Sequence, residues 1–361
     1  AGQAARHFLG LSILISLGLL SFGLLLNRLA MEMLGAQADV IRLSLPYSNL
    51  IFLLIPFTIL LQVLSSILQG TGDTKTPMYA MIVVNLLHIV IAIPLIYGRW
   101  GFPELGVNGA AIAVGIAEAT GCVYLLSRCR AMLHPFHRLR FDLIRTIWRV
   151  GAPVSGERIV QQAGILLYTK IVLMYGTIAY AAHQVGLSIE SLSFLPGYGF
   201  AIAAATMVGQ SIGAGKYTRA KLENWEANRL AAYMMSAMGV IFFFFPYALL
   251  RAFTSDEAVI ELGTLFLKIV ALLQIPLAFT MVVAGSLRGA GDTRFIMVAT
   301  MIGMWGVRIP IALVVGYWLN LGVFYVWLAM IADWTLRMAL MLWRYRSERW
   351  RSIQVLRSSP T

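Results

Sequence analysis

Ten long apolar runs divide this chain, at roughly 8–27, 47–68, 78–97, 107–127, 152–174, 178–209, 230–250, 263–285, 296–319 and 323–343. A helix that rises 1.5 Å per residue needs about 20 apolar residues to cross the hydrocarbon core of a bilayer, and each run is of that order. The pattern predicts an all-α polytopic membrane protein with ten transmembrane helices. The run at 178–209 exceeds one span, and Pro196-Gly197 within it predicts a kink or a break. Between 131 and 148 the pattern changes: Phe136, Leu139, Phe141 and Leu143 are interleaved with His134, His137, Arg138, Arg140 and Arg145. That composition predicts a basic amphipathic helix lying on a membrane surface.

The polar punctuation repeats. Residues 69–78 read QGTGDTKTPM and residues 288–297 read RGAGDTRFIM, so Gly70, Gly72 and Asp73 recur as Gly289, Gly291 and Asp292 at an offset of 219 (292 − 73). Each copy reads as a tight turn between two apolar helices, its glycines supplying positive φ and its Asp or Thr capping the next helix. The GxxxxGK[ST] spacing of a phosphate loop is missing. In the second copy, two apolar runs (152–174 and 178–209) precede the point that matches Ala1. The repeat therefore predicts a fold of twelve helices, six plus six, with its first two absent here. Six is even, so both copies should run the same way through the bilayer, as parallel repeats. The expected division is an incomplete N-terminal lobe of four helices (1–130), a cytoplasmic amphipathic linker (131–147), a C-terminal lobe of six helices (148–345) and a cytoplasmic tail (346–361). A chain so incomplete is expected to insert, because each helix satisfies its own backbone, but not to carry out coupled transport.

Composition sharpens this. Hydrophobic residues make up 59% of the chain and charged residues 12%, with a mean hydropathy of +0.79, against about 25% charged in soluble domains. The net charge of +12 would suggest nucleic acid in a soluble protein; in a membrane protein, placement decides. One alternate set of connections holds Arg6, Lys75, Arg128 to Arg149, Lys216 to Arg229, Arg288, Arg294 and Arg344 to Arg357, while the opposite set holds only Arg28, Arg42, Arg99 and Arg251. The positive-inside rule makes the first set cytoplasmic, with both chain ends inside a plasma or inner membrane and no nucleic-acid partner. Cys122 and Cys129 give no disulfide framework. No HExxH, CxxC or Ser-His-Asp arrangement is present, so neither an enzyme nor a metal or cofactor is indicated.

Several stretches resemble the multidrug and toxic compound extrusion family of antiporters: QGTGDTKTP at 69–77, GAPVSGERIVQQAG at 151–164, AAHQVGLSIESLSFLPGYGFAIAAATMVGQSIGAGK at 181–216, RGAGDTR at 288–294 and the D-W-x-x-R of Asp333 to Arg337. The resemblance implies two six-helix lobes around a central cavity. It also implies export of organic, often cationic or amphiphilic, drugs and toxins in exchange for H⁺ or Na⁺ by alternating access, by a monomer whose partners are its small-molecule substrate and membrane lipid. Rival readings are a lipid-linked oligosaccharide flippase of the same superfold and a non-transporting membrane sensor or scaffold. Two departures stand out. The first-lobe carboxylate of many family members lies on the first family helix, which the alignment of the repeats places ahead of this chain. Where some members carry acids on the seventh and tenth helices, this chain offers Gln161 and Gln274.

Ionisable residues deep in apolar runs are costly and usually face a cavity or a partner. Glu118, Glu190, Arg308 and Asp333 all fall near the middle of their runs. Glu190, Arg308 and Asp333 are expected to form one polar cluster in the second lobe, although Asp333 and Arg337 could pair along their own helix and Arg308 could neutralise Glu190. Glu157 has Pro153 and Gln161 four residues to either side on one face, which suits a cation or proton site. The expected coupling residues are Glu157, Asp333 and Glu190; the expected substrate cavity uses Gln161, Arg308, Glu118 and Asn85. His183, Lys170 and Lys268 read as interface residues near the outer side.

Overall fold

The computed structural model describes residues 2–33, 38–130, 141–319 and 321–353, and they are helical nearly throughout, with no strand among them. The long helices are α1 (Gly2–Met33), α2 (Ala38–Thr71), α3 (Lys75–Tyr97), α4 (Val107–Cys129), α5 (Phe141–Leu173), α6 (Thr177–Gly213) and α7 (Tyr217–Phe244). After the short α8 (Pro246–Arg251) come α9 (Glu257–Gly289), a composite helix over 293–318 and α12 (Val323–Arg346). The composite begins as α10 (Thr293–Met301), turns π-helical over Ile302–Arg308, returns to α over α11 (Ile309–Leu313) and ends π-helical over Val314–Trp318. Among the described residues nine helices are long and apolar enough to cross a membrane. The tenth long helix, α5, carries Glu157, Arg158 and Lys170 in its apolar stretch. The chain is a multi-pass membrane protein.

Two boundaries differ from the hydropathy pattern. Helix α5 starts at Phe141 rather than at 152, so residues 141–147 of the expected surface helix continue the fifth long helix. Residues 131–140 of that segment, and 354–361 of the expected tail, lie outside the described residues. Helix α6 runs unbroken through Pro196 for 37 residues. A proline inside a membrane helix frees few backbone groups, and neighbouring helices can re-satisfy them. Gly197 beside it lets the Met235 sulfur of α7 come within 2.7 Å of where a Cβ would be.

The chain forms two compact units, Ala1–Ile147 and Trp148–Thr361. In the first, α1 packs on α2, and α2 and α3 pack on α4, around Leu61, Leu64, Leu68, Val84 and Leu125. Small residues on α4 permit this close approach: a Cβ on Gly109 would lie 2.5 Å from the Leu95 carbonyl oxygen, and one on Gly121 2.5 Å from Val84. In the second, the same pairings recur: α7 on α9, α9 on α12, and the composite helix on α12. Helices α5 and α6 are added to this set, with α6 packed along α9.

The repeated motif folds identically in both copies. The Gly72 N–H donates to Gln69 O (2.9 Å) and the Asp73 N–H to Leu68 O (3.0 Å); the Gly291 N–H donates to Arg288 O (2.9 Å) and the Asp292 N–H to Leu287 O (2.8 Å). This is a Schellman turn, which closes a helix with one left-handed residue. Of the four motif glycines, Gly72 (φ 94°) and Gly291 (φ 83°) adopt positive φ, which corrects the expectation for Gly70 and Gly289, still in the last helical turn. The aspartates diverge in use. Asp73 accepts from the Thr76 N–H (3.0 Å) and hydroxyl (2.6 Å), and these bonds hold its carboxyl below the usual carboxylate range. Asp292 instead pairs with Arg344 Nε of α12 at 2.6 Å.

Candidate functional site

The second unit encloses a buried charge cluster. Asp333 on α12 is fully buried; Arg337, one turn on, donates to both of its carboxylate oxygens (Nε to Oδ1 2.5 Å, Nη2 to Oδ2 3.0 Å). Arg308 places its Nε 2.7 Å from Asp333 Oδ2. Thus Asp333 joins two guanidiniums: Arg308 pairs with Asp333 and not with Glu190, the alternative the sequence left open, and among the described residues Glu190 makes no ion pair within 4.0 Å. The π-helical segment 302–308 ends on Arg308. Such π-turns shift the register of a helix face and recur at functional sites. Gly303 in that segment makes room for the cluster, since a Cβ there would meet Asp333 Oδ1 at 2.2 Å and Arg337 Nε at 2.4 Å.

Beside the cluster lies a cavity of about 250 Å³ lined by Gln161, Tyr168, His183, Glu190, Arg308 and Trp334, among others. Apolar and aromatic residues make up half of its lining and polar or charged residues the other half. The Arg308 guanidinium lies over the rings of Tyr168 (5.5 Å) and Trp334 (5.7 Å). Glu190 is buried in the wall formed by α6. His183, expected at the outer interface, is buried instead among Tyr168, Phe266 and Trp327. A helix that is apolar on most sides gives no periodic sign of which polar residue faces inward.

A smaller cavity, about 60 Å³, is lined by Glu157, Arg158, Tyr198, Thr280 and Arg288, and it shares Gln161, Phe194, Trp334 and Arg337 with the larger one. Those shared residues form the partition between two acid-bearing cavities. Arg288 Nη2 donates to both oxygens of Glu157, at 2.7 and 2.9 Å. The sequence pattern counts Arg288 as part of a cytoplasmic connection; it sits in the last turn of α9 and its side chain reaches Glu157 of α5. Arg158 donates to the Tyr198 hydroxyl at 3.1 Å.

The structure brings Glu190, Arg308, Asp333 and Gln161 together and places Glu157 across the partition. Glu118 and Asn85, both in the first unit, line neither of these cavities. Glu118 accepts from the Thr58 hydroxyl of α2 at 2.6 Å, and Asn85 donates to Met81 O, one turn back on its own helix. Sequence reasoning missed Gly303 and Tyr168 at the cluster: the π-turn that carries Gly303 leaves no hydropathy pattern, and Tyr168 lies within the long apolar helix α5.

Gln274 is fully buried on α9, where its Oε1 accepts from the Ser193 hydroxyl of α6 (2.6 Å) and its Nε2 donates to Val270 O (3.1 Å). Gln274→Leu removes the acceptor and leaves a buried hydroxyl unpaired, an expected cost of about 1–3 kcal/mol. Adding Ser193→Ala should restore most of that loss. Unfolding midpoints of the purified variants in detergent check it: a double variant no more stable than the single one would show that the bond contributes little.

Comparison with known proteins agrees with this architecture. The MatE family model matches residues 1–93 and 153–314. A relative named "Probable multidrug resistance protein NorM" from Thermotoga maritima is 36% identical over 307 residues, covering 82% of this chain and 65% of that protein. "Probable multidrug resistance protein YoeA" from Bacillus subtilis is 25% identical over 340 residues, 91% of this chain and 72% of that protein. The chain thus spans roughly two thirds of the length of the curated relatives it matches. A solved structure described as the "Outward-facing conformation of a multidrug resistance MATE family transporter of the MOP superfamily" superposes with a TM-score of 0.89 at 19% identity, covering 98% of this chain and 80% of that one, a likeness of fold. The matched family model, spread over both compact units, shows that the chain belongs to the MatE family.

Proposed function

We propose that the full-length protein is a cation-coupled antiporter that exports organic drugs and toxins by alternating access. It exchanges them for H⁺ or Na⁺ across a plasma or inner membrane, as a monomer with both chain ends in the cytoplasm. The observation that carries this reading is Glu190: a buried carboxylate on a membrane-spanning helix, lining an aromatic-walled cavity, with no ion-pair partner among the described residues. An acid without a fixed counter-charge inside a membrane protein is costly unless it binds a proton, a metal cation or a cationic group. If cargo and coupling ion both need that carboxylate, each weakens the other's binding, and this reciprocal linkage is what antiport requires.

The other two acids have distinct parts in the proposal. Glu157, held by Arg288 in the adjoining cavity, is a second cation site that becomes available when its partner is displaced. Asp333 acts through Arg308, whose guanidinium it fixes beside the cavity. The names of the relatives, multidrug resistance proteins, support the cargo class. Cells without their own drug pumps, expressing the full-length protein, test the reading. They should accumulate less of a fluorescent organic dye than control cells, and collapsing the H⁺ and Na⁺ gradients with ionophores should abolish the difference. Dye exclusion that survives both ionophores would refute ion coupling.

A further inference from the structure

Beyond the last turn of α12 the chain folds back on itself. Glu348 adopts a left-handed backbone (φ 55°), and a 3₁₀ turn over Arg349–Ser352 follows it. A residue with a Cβ holds that conformation only where its surroundings fix it. Here they do. Trp350 is buried, stacks on Tyr345 (ring centroids 5.2 Å apart, planes at 16°) and donates its Nε1 hydrogen to Tyr345 O at 2.8 Å. Glu348 pairs with Lys221 of α7 and with Arg351 (2.7 Å), and the Tyr345 hydroxyl donates to Ala220 O at 3.3 Å. The hook is therefore pinned to the start of α7.

This corner of the molecule is cationic. Residues 216–223 and 346–351 carry Lys216, Arg219, Lys221, Arg346, Arg349 and Arg351 against two acids, Glu223 and Glu348. Arg346, Arg349 and Arg351 are exposed. Two aromatic rings stand beside them at the ends of membrane-crossing helices: Trp343, 53% exposed in the last turn of α12, and Tyr217, the first residue of α7. The Arg349 guanidinium lies over Trp343 and that of Arg351 over Tyr217, each 5.5 Å from the ring centroid.

A Trp or Tyr at the end of a membrane helix sits at the level of the lipid headgroups, and a cluster of Lys and Arg just beyond it attracts anionic lipid. Free phosphate or an acidic peptide would meet the arginines but gain nothing from rings at the bilayer boundary. A lipid meets both. We propose that the hook and the start of α7 form a binding site for the headgroup of an anionic phospholipid. Arg349 and Arg351 hold its phosphate, a group that guanidinium donors bind strongly, and Trp343 and Tyr217 pack against its glycerol region. None of these four residues lines either cavity, so the site is independent of the transport reading.

The test uses the full-length protein in phosphatidylcholine nanodiscs doped with tail-brominated phosphatidylglycerol or with tail-brominated phosphatidylcholine. Bromine quenches tryptophan on contact, and subtracting the signal of Trp343→Phe isolates Trp343. Wild-type Trp343 should prefer phosphatidylglycerol about tenfold, since each cation at a bilayer surface is worth about fivefold. Arg346→Gln, Arg349→Gln and Arg351→Gln, combined, should abolish that preference. Trp350→Ala keeps every charge but releases the hook, and it should reduce the preference severalfold. Lys75→Gln, Arg128→Gln and Arg130→Gln, combined, remove as much charge from exposed positions of the first unit and should leave the preference unchanged. No preference in the wild type, or equal loss in the two triple variants, would overturn the proposal. So would a full preference in Trp350→Ala, or displacement of the lipid by inorganic phosphate at constant ionic strength.

Discussion

Asp333→Asn is expected to cost about 3–5 kcal/mol of stability, the range found when one member of a buried ion pair is removed and its partner is left without counter-charge. Here two partners are left. Arg308 and Arg337 are both buried and both within ion-pair distance of the Asp333 carboxylate. An amide of the same shape can offer one acceptor oxygen but no charge. The penalty therefore comes from two guanidiniums repelling each other in a low-dielectric interior, and not from lost packing. Removing one of them should recover part of it: Asp333→Asn with Arg308→Gln should be more stable than Asp333→Asn alone. Unfolding of the four members of this cycle, followed by tryptophan fluorescence in detergent, gives the coupling energy directly. Additive single effects would show that Asp333 and Arg308 are not energetically coupled.

Gly285→Ala should be the most damaging methyl addition on α9. A Cβ there would lie 2.2 Å from the Ala201 carbonyl oxygen of α6, and one turn later a Cβ on Gly289 would lie 2.3 Å from the Ala205 carbonyl oxygen. Both obstacles are backbone, so no rotamer change relieves them; the two helices must separate. The pair forms a small-residue ladder, which lets membrane helices pack backbone to backbone where water supplies no driving force. Overpacking of this kind costs about 1–3 kcal/mol per site, and Gly285→Ala should fall near the upper end. Since α6 carries Glu190 and α9 carries Arg288, separation should also disturb both cavities. Measured unfolding of Gly285→Ala against Gly70→Ala, where a Cβ meets nothing within 4 Å, decides it. Equal stabilities would remove the close-packing argument.

The residues most legible in the sequence were those governed by local rules. Apolar length placed the helices, and the repeated GxGDT motif marked two turns that proved to share their hydrogen bonds. The Asp333–Arg337 pair could be anticipated because residues four apart meet on a helix face. Long-range partners had no such signature. Arg288 was counted as a connection charge, yet its long side chain reaches Glu157, 131 residues away in sequence. Arg308 reaches Asp333 through a π-turn that shifts the helix face, and hydropathy is blind to that. Burial of His183 was hidden because α6 is apolar on most sides, so periodicity could not separate its core face from its lipid face. Glycine content likewise showed where turns lie but not which glycine bears the positive φ; the Schellman geometry selects Gly72 and Gly291.

The central claim is that ion coupling passes through the Glu190 carboxylate. Its most direct test is gradient-driven uptake of a cargo dye by proteoliposomes containing the full-length protein, wild type against Glu190→Gln, each with and without an imposed H⁺ or Na⁺ gradient. The wild type should accumulate dye only when a gradient is present. Glu190→Gln, removing the charge while keeping the shape of the side chain, should move dye at the same rate with and without the gradient. A Glu190→Gln protein that still accumulates dye against its concentration at the wild-type, gradient-dependent rate would contradict the account.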